Sequence, residues 1–206
     1  MNNNQKNQQL PDKVIRKLHE LSHRVVLSIE QAVMLNKRPA DAELSAWFKG
    51  KKELGSRDRR FLSHTVFSYF RWHGWTQKVL RLNMDDSFLI AELLENSTLS
   101  QWASYLTNHS SLSSIPSPMG SLTLNQKSQS LGECFRSPVS VNDLLPPDYS
   151  KVLNEEKLED YISTFQSRPP TWIRSRSSID ELICSLEENN ITTLKHPSIS
   201  NAVGIK

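Results

Sequence analysis

The stretch from Leu54 to Leu80, LGSRDRRFLSHTVFSYFRWHGWTQKVL, constrains the fold more than any other part of the sequence. It predicts one long helix, with an N-cap at Ser56 and a left-handed C-terminal cap at Gly74. Asp58 lies in the first turn, where the helix dipole favours a negative charge. At about 100° per residue the apolar side chains cover one broad arc, which predicts a buried face. The residues of this arc are Phe61, Leu62, Thr65, Val66, Tyr69, Phe70, Trp72 and His73.

The side of this helix opposite the apolar arc is basic. Arg57, Arg60, His64 and Arg71 fall there and form a basic stripe, with Phe67 beside them. Residues 49–81 hold nine of the 25 lysines and arginines but only two of the 22 acidic residues, so this segment carries +7 and the rest of the chain −4. A local basic region of this kind indicates a polyanionic partner. A solvated helix face without a partner explains the same charges, and the residues alone leave both interpretations open.

The basic segment supplies the candidate phosphate contacts. They are Arg57, Arg60, Arg71, Lys78 and Arg81, with Phe67 available for stacking. Arg59 falls near the apolar arc instead, so we expect it to have a structural role, as a partner of Asp58 at the start of the helix.

Two separated stretches resemble a known family. The first is GSRDRRFLSHTVFSYFRW; the second is RPPTWIRSR, at residues 168–176, which precedes a predicted helix and the phrase LKHPSISNAVGI. In this order they resemble the N-terminal region of the Nop/Sun family of RNA cytosine-C5 methyltransferases, which is similar to the NusB antitermination factor. The family usually has Arg-x-Asn where this chain has Arg174-Ser175-Arg176. The resemblance covers most of the chain, is weakest at 108–133, and does not extend to the family's catalytic half.

This resemblance implies a mainly α fold in two parts. After a disordered tail at 1–11, a NusB-like helical bundle spans 12–166, with a long loop at 108–140. Residues 167–206 then form the start of a small α/β module, strand-helix-strand, which leads toward a catalytic domain that we expect to be absent from this sequence.

The implied function is RNA binding. The chain holds RNA, ribosomal RNA in particular, for a catalytic domain that uses S-adenosylmethionine, while it binds no cofactor and transfers no methyl group by itself. Arg174 and Arg176 join the predicted RNA contacts, and Trp172 is expected to lock the sheet to the helical domain. One alternative is a stand-alone NusB-like RNA- or protein-binding factor in transcription or ribosome assembly. Such a protein would not be expected to carry the strand and helix predicted within residues 168–206. Another is a helical domain whose basic face binds an acidic partner.

Periodicity predicts the elements around the central helix. Serine-rich 108–140 shows no such periodicity, and Ser178 with Glu181 matches a helix capping box. The predicted helices are 12–36, 41–48, 75–82, 87–94, 99–107 and a helix ending before Arg168, followed by strands at 171–175, 191–195 and 202–206 around one further helix.

The histidines, cysteines and glycines of the sequence predict no further site. His19 and His23 are four residues apart but have no third ligand nearby in the sequence, so we expect no metal site. Cys184 is predicted to pack in the core and Cys134 to lie in the polar loop, and neither has the setting of a nucleophile. The six glycines are isolated and form no phosphate-binding loop. With no apolar run near the ~18 residues of a membrane span and no apolar signal segment, we expect a cytoplasmic protein.

Overall fold

The computed structural model describes residues 10–145, 158–167, 170–176 and 178–205. The protein is mainly helical and carries one small antiparallel sheet. The helices are α1 (Asp12–Asn36), α2 (Ala40–Lys49), α3 (Ser56–His73), α4 (Met84–Glu95), α5 (Gln101–Thr107), α6 (Leu124–Phe135), α7 (Leu158–Gln166) and α8 (Ile179–Glu188). The strands are β1 (Thr171–Arg174), β2 (Thr193–Lys195) and β3 (Ala202–Ile205). A π-helical turn, Gly74–Val79, follows α3, and a 3₁₀ turn, Val141–Leu144, follows α6. No helix in these described ranges combines the length and hydrophobicity needed to cross a membrane.

The chain divides into two compact units, Met1–Ser163 and Thr164–Lys206. In the first, α3 packs against α1 and α4, and the predicted apolar arc forms the centre of the core. Leu62 and Val66 are fully buried, and Tyr69 and Trp72 nearly so, which confirms the buried face predicted for α3. Ile162 of α7 belongs to the same core.

Both predicted ends of α3 need correction. Ser56 is the first helical residue and Gly55 takes the N-cap position, with no side-chain cap. Gly74 is right-handed, with φ −55° and ψ −48°, because the helix continues into the π-helical turn instead of ending. A Cβ on Gly74 would lie 2.1 Å from the carbonyl oxygen of Asp143, so this glycine is needed for the close approach of the 3₁₀ turn.

The predicted loop at 108–140 is wrong in its second half, because α6 lies within it. Its start carries a reciprocal capping box: the Gln126 amide donates to Thr123 Oγ1 at 3.3 Å, and the Thr123 amide donates to Gln126 Oε1 at 2.9 Å. Only a few of its side chains are buried, among them Leu131 and Lys127, and most of its residues are polar, so in sequence it resembles the serine-rich segment around it. The Thr-x-x-Gln spacing was the available sequence signal.

The disordered tail predicted for 1–11 also needs a correction at its end. Residues 1–9 lie outside the described residues. Leu10, however, is held by Gln101 of α5, which accepts from the Leu10 amide at 2.7 Å and donates to the Leu10 carbonyl at 2.9 Å. Pro11 then occupies the N-cap position of α1. The predicted helix that ends before Arg168 is described only from Leu158 onward, as α7.

In the second unit, β3 is the central strand and pairs antiparallel with both β1 and β2. Strands β1 and β2 therefore run parallel to each other, connected through α8. This arrangement confirms the predicted strand-helix-strand order and the third strand. Ser178 caps α8 by accepting from the Glu181 amide at 3.4 Å, which is one of the two hydrogen bonds of the predicted capping box. Cys184 is exposed, so its predicted place in a core is wrong.

Candidate nucleic-acid interface

The N-terminal half of α3 presents its basic residues to solvent. Arg57 and Arg60 are exposed, and 40% of the surface of Phe67 is accessible to solvent. Steps of three and seven residues put these side chains on one face of the helix, spread over about 15 Å along its axis. Within the described part of the chain, neither arginine forms an ion pair. Between Arg57 and Phe67 one side of the helix is therefore a cationic surface with one exposed aromatic ring, and we call it the Arg57–Phe67 face.

The C-terminal half of the same helix is different, because its arginine is already paired. Arg71 Nη1 forms an ion pair with Glu95 Oε1 of α4, and the two side chains are only 14% and 15% exposed. Trp72 Nε1 donates to the same oxygen at 3.2 Å. Although Arg71 belongs to the basic stripe in sequence, the fold uses it to join α3 to α4, and we leave it out of the interface.

Glutamates of α4 extend this pairing to His64. Its Nε2 lies 3.5 Å from Glu92 Oε2 and 3.9 Å from Glu95 Oε2. Lys127 of α6 places its ammonium 5.1 Å from the centre of the Trp72 ring. Burial lowers the pKa of Lys127, and nearby Glu95 opposes that shift. These carboxylates neutralise the middle and the C-terminal end of the stripe.

Arg59 has the structural role that its position predicts, although its partners differ from the expected Asp58. Its Nε donates to the Leu54 carbonyl at 3.0 Å, and its Nη2 donates to the Lys51 carbonyl at 2.9 Å. The guanidinium also lies 5.4 Å from the centre of the Phe48 ring. Arg59 thus fixes the segment between α2 and α3, and it does not point its charge at a ligand.

Lys78 and Arg81 are exposed just beyond α3. Lys78 lies in the π-helical turn, and Arg81 has a left-handed backbone with φ 52°. The turn is held by the Leu82 amide, which donates to the Thr76 carbonyl at 2.9 Å, and by Gln77, which donates to the Leu82 carbonyl at 2.9 Å. Two cations therefore stand on an ordered turn at the end of the basic segment.

In the second unit, Arg174 and Arg176 are both exposed, at the end of β1 and just after it. Trp172 is 44% exposed and pairs in register with Gly204. A Cβ on Gly204 would come within 3.1 Å of the Trp172 ring, so the ring lies across a glycine that leaves room for it. Its other neighbour is His196, at 4.6 Å between ring centres. The packing of Trp172 between the sheet and the helical unit remains a prediction.

The described strands of the second unit do not have the arrangement of an S-adenosylmethionine pocket. Nucleotide-type donor pockets use a glycine-rich turn after a parallel strand. Each strand described here pairs antiparallel with its neighbour, and the only glycine among them, Gly204, lies under Trp172. Cys134 is half-buried, and its Sγ lies 3.5 Å from Ser114 Oγ.

One polar cluster was missed by sequence reasoning. His19 and His23 of α1 both point their Nε2 atoms at Oδ1 of Asp85, in the first turn of α4, each at 2.6 Å. Burial raises the pKa of Asp85, but the hydrogen bonds from both imidazoles outweigh it and leave the pKa below its usual value. Asp85 lies more than 60 residues from either histidine, so no local spacing could have connected them.

No protein-family model, no curated protein and no solved structure matches this chain significantly.

Proposed function

We propose that this chain is an RNA-binding module that positions RNA, ribosomal RNA in particular, for cytosine-C5 methylation by a catalytic domain of the Nop/Sun type. The observation that carries the proposal is the Arg57–Phe67 face, where two arginines that form no ion pair with any described residue share one side of a helix with an exposed aromatic ring, while the opposite side of that helix is buried. The resemblance of this helix and of RPPTWIRSR to that family supports the choice of RNA and the NusB-like nature of the first unit.

The chemistry of the face suits an RNA backbone. Arginine guanidinium groups form paired, charge-assisted hydrogen bonds with phosphate oxygens. An exposed ring such as Phe67 can stack on an unpaired base, and such contacts tolerate any base sequence. Lys78 and Arg81 add two further cations beyond the end of the helix, and Arg174 and Arg176 supply a second cationic group in the other unit.

The role assigned to these residues is to hold and orient RNA. Phosphate contacts fix the register of a protein on a nucleic acid and carry little sequence information. In the family that this chain resembles, the methyl donor and the nucleophilic cysteine belong to the catalytic domain. The residues described here therefore contribute affinity and position, and the choice of the target base lies elsewhere.

The proposal is tested by binding of a ribosomal RNA fragment at several salt concentrations. Charge reversal of Arg57 and Arg60 together should weaken binding strongly. The matched control is Lys17→Glu with Arg24→Glu, which reverses two exposed charges on one face of α1. We expect the control to retain nearly all RNA affinity. If both double variants lost the same RNA affinity, binding would depend only on overall charge, and the Arg57–Phe67 face would not be the interface.

Phe67 separates RNA binding from binding of any polyanion. Removing a ring that stacks on a base costs about 1–3 kcal/mol of binding free energy. Phe67→Ala should therefore weaken RNA binding but leave binding to heparin, which has no bases, unchanged. An acidic protein partner, the competing interpretation, predicts weak binding of RNA and heparin alike, with no preference for the one that carries bases.

A further inference from the structure

The cluster of His19, His23 and Asp85 has the composition of a metal site. The two imidazole nitrogens lie 3.2 Å apart, and each is 2.6 Å from the same carboxylate oxygen. The three atoms come from two helices that the sequence separates widely. With side chains 15%, 32% and 27% exposed, the cluster is partly shielded and yet open to an ion from solvent.

The three ligand atoms lie close enough together to share a single ion. The two imidazole nitrogens, 3.2 Å apart, already have nearly the separation of tetrahedral ligands, and the carboxylate oxygen would move outward from its two 2.6 Å hydrogen bonds as the metal replaces them. From the three distances, a point about 2.1 Å from all three atoms exists, about 1.3 Å to one side of their plane, and 2.1 Å is close to the usual zinc–nitrogen distance. An ion at that point would have all three protein ligands on one face. Its opposite side would remain open to water, as in metal sites with two histidines and one carboxylate.

The rings are held in place by their surroundings. His19 Nδ1 lies 3.5 Å from the Tyr105 hydroxyl, and its ring packs edge-on against Trp102 and Tyr105. The His23 ring meets Phe88 edge-on at 5.4 Å between ring centres. A partner on the second ring nitrogen fixes which nitrogen faces the metal, and this is the usual arrangement around histidine ligands.

The position of Asp85 is also fixed by the fold. Asn83 caps α4 by accepting from the Asp86 amide at 2.9 Å, which sets the first turn of the helix. Asp86 itself is engaged elsewhere, with the hydroxyls of Ser110 and Ser111 at 2.6 Å, so the adjacent acid does not compete for the histidines.

We propose that His19, His23 and Asp85 bind one divalent transition-metal ion, of which Zn²⁺ is the representative, with water completing its coordination. Two imidazoles favour zinc and its neighbours over Mg²⁺ and Ca²⁺, which take oxygen ligands. On binding, the metal replaces the hydrogen bonds that now join the imidazoles to Asp85. The bound ion links α1 to the first turn of α4 and stabilises the first unit, independently of RNA binding.

Zinc titration of the full chain by calorimetry tests this proposal. We expect one ion per chain, and thermal unfolding at a higher temperature with zinc than without it, because a ligand of the folded state stabilises it. Co²⁺ serves as the spectroscopic probe: visible absorption bands characteristic of nitrogen and oxygen ligation should appear and disappear when zinc is added. Absence of both zinc binding and cobalt absorption in the wild-type chain at micromolar concentrations would overturn the proposal.

Two variants and one control assign the ligands. His23→Gln should lower zinc affinity by more than about 100-fold, beyond the 10–100-fold that loss of a supporting group costs. Asp85→Asn keeps the shape of the side chain and should lower affinity by at least about 10-fold. His196→Gln, in the second unit, is the matched control and should bind zinc as the wild type does.

The aspartate variant also distinguishes this site from a simple pair of histidines on one helix. Such a pair, four residues apart, can hold a metal ion without a third ligand. If Asp85→Asn bound zinc as tightly as the wild type, the carboxylate would not be a ligand and the three-residue site would be wrong. Circular dichroism of each variant establishes that a lost affinity reflects a lost ligand and not an unfolded chain.

Discussion

The two halves of α3 carry the same basic stripe but meet different surroundings. Arg57 and Arg60 stand in solvent, whereas Arg71 is buried against Glu95. The difference comes from α4, which places its carboxylates beside the middle and the C-terminal end of α3. A helical period tells which residues share a face, but the packing partner decides whether a charge on that face is available to a ligand.

This comparison separates binding from stability. The two exposed charges of the N-terminal half, Arg57 and Arg60, should affect RNA affinity and leave folding unchanged. Charges in the C-terminal half should affect folding. The experiments below test this division, from the largest expected effect to the smallest.

The buried face that both halves share should give the largest effect. Leu62 is fully buried at the centre of the core. Leu62→Ala should lower the free energy of unfolding by about 2–5 kcal/mol, because it removes apolar contacts and leaves a cavity. Leu27→Ala, at a side chain that is 55% exposed, is the control and should change it by less than about 0.5 kcal/mol. If a denaturant titration showed that both variants lose the same free energy of unfolding, α3 would not contribute its apolar face to the core.

The ion pair of the C-terminal half should come next. Glu95→Ala leaves the Arg71 guanidinium mostly buried without its partner and takes an acceptor from Trp72. Breaking a buried pair costs about 3–5 kcal/mol, and residual exposure puts this one at the lower end. Arg60→Ala, in the exposed half, should cost less than about 0.5 kcal/mol. If chemical denaturation found the two variants equally stable, the two halves of α3 would not differ as described.

The pH dependence of stability should give the smallest effect, and it too belongs to the C-terminal half. His73 lies with its Nε2 3.5 Å from Glu30 Oε1, the atom to which the Tyr69 hydroxyl donates at 3.3 Å. Burial lowers the pKa of His73 and nearby Lys78 lowers it further, and together they outweigh Glu30, which raises it. In the folded chain His73 therefore binds a proton only at a lower pH, whereas in the unfolded chain it binds one near the ordinary histidine pKa of about 6.5.

The sign follows from this difference. As the pH falls through about 6.5 toward the lower pKa of folded His73, the unfolded state binds more protons, and stability decreases. His73→Gln should make the pH profile flatter in this range than that of the wild type. Other groups, such as Asp85, are common to both proteins and cancel in the difference. A wild-type profile no steeper than that of the variant contradicts the assignment.

The sequence predicts much of the fold because the buried side chains of the long helices recur with a helical period. The ends of α1, the arc of α3 and the order of strands around α8 all follow from local patterns. The sequence does not predict α6, where serines outnumber buried apolar residues, nor the continuation of α3 through Gly74, which depends on the distant 3₁₀ turn. The partners of Arg71 and of His19 lie far away in the chain, so their roles appear only when the helices are packed.

The most direct test of the account is the salt dependence of RNA binding in two variants that are matched in chemistry. One is Arg57→Gln with Arg60→Gln; the other is Arg71→Gln, measured under conditions where circular dichroism shows it folded. Each lost phosphate contact lowers the slope of log affinity against log salt concentration by about 0.7–0.9. We predict a decrease of about 1.4–1.8 for the double variant, and no change for Arg71→Gln. An unchanged slope in the double variant, or an equal decrease per arginine in Arg71→Gln, would contradict the assignment of RNA binding to the exposed half of α3.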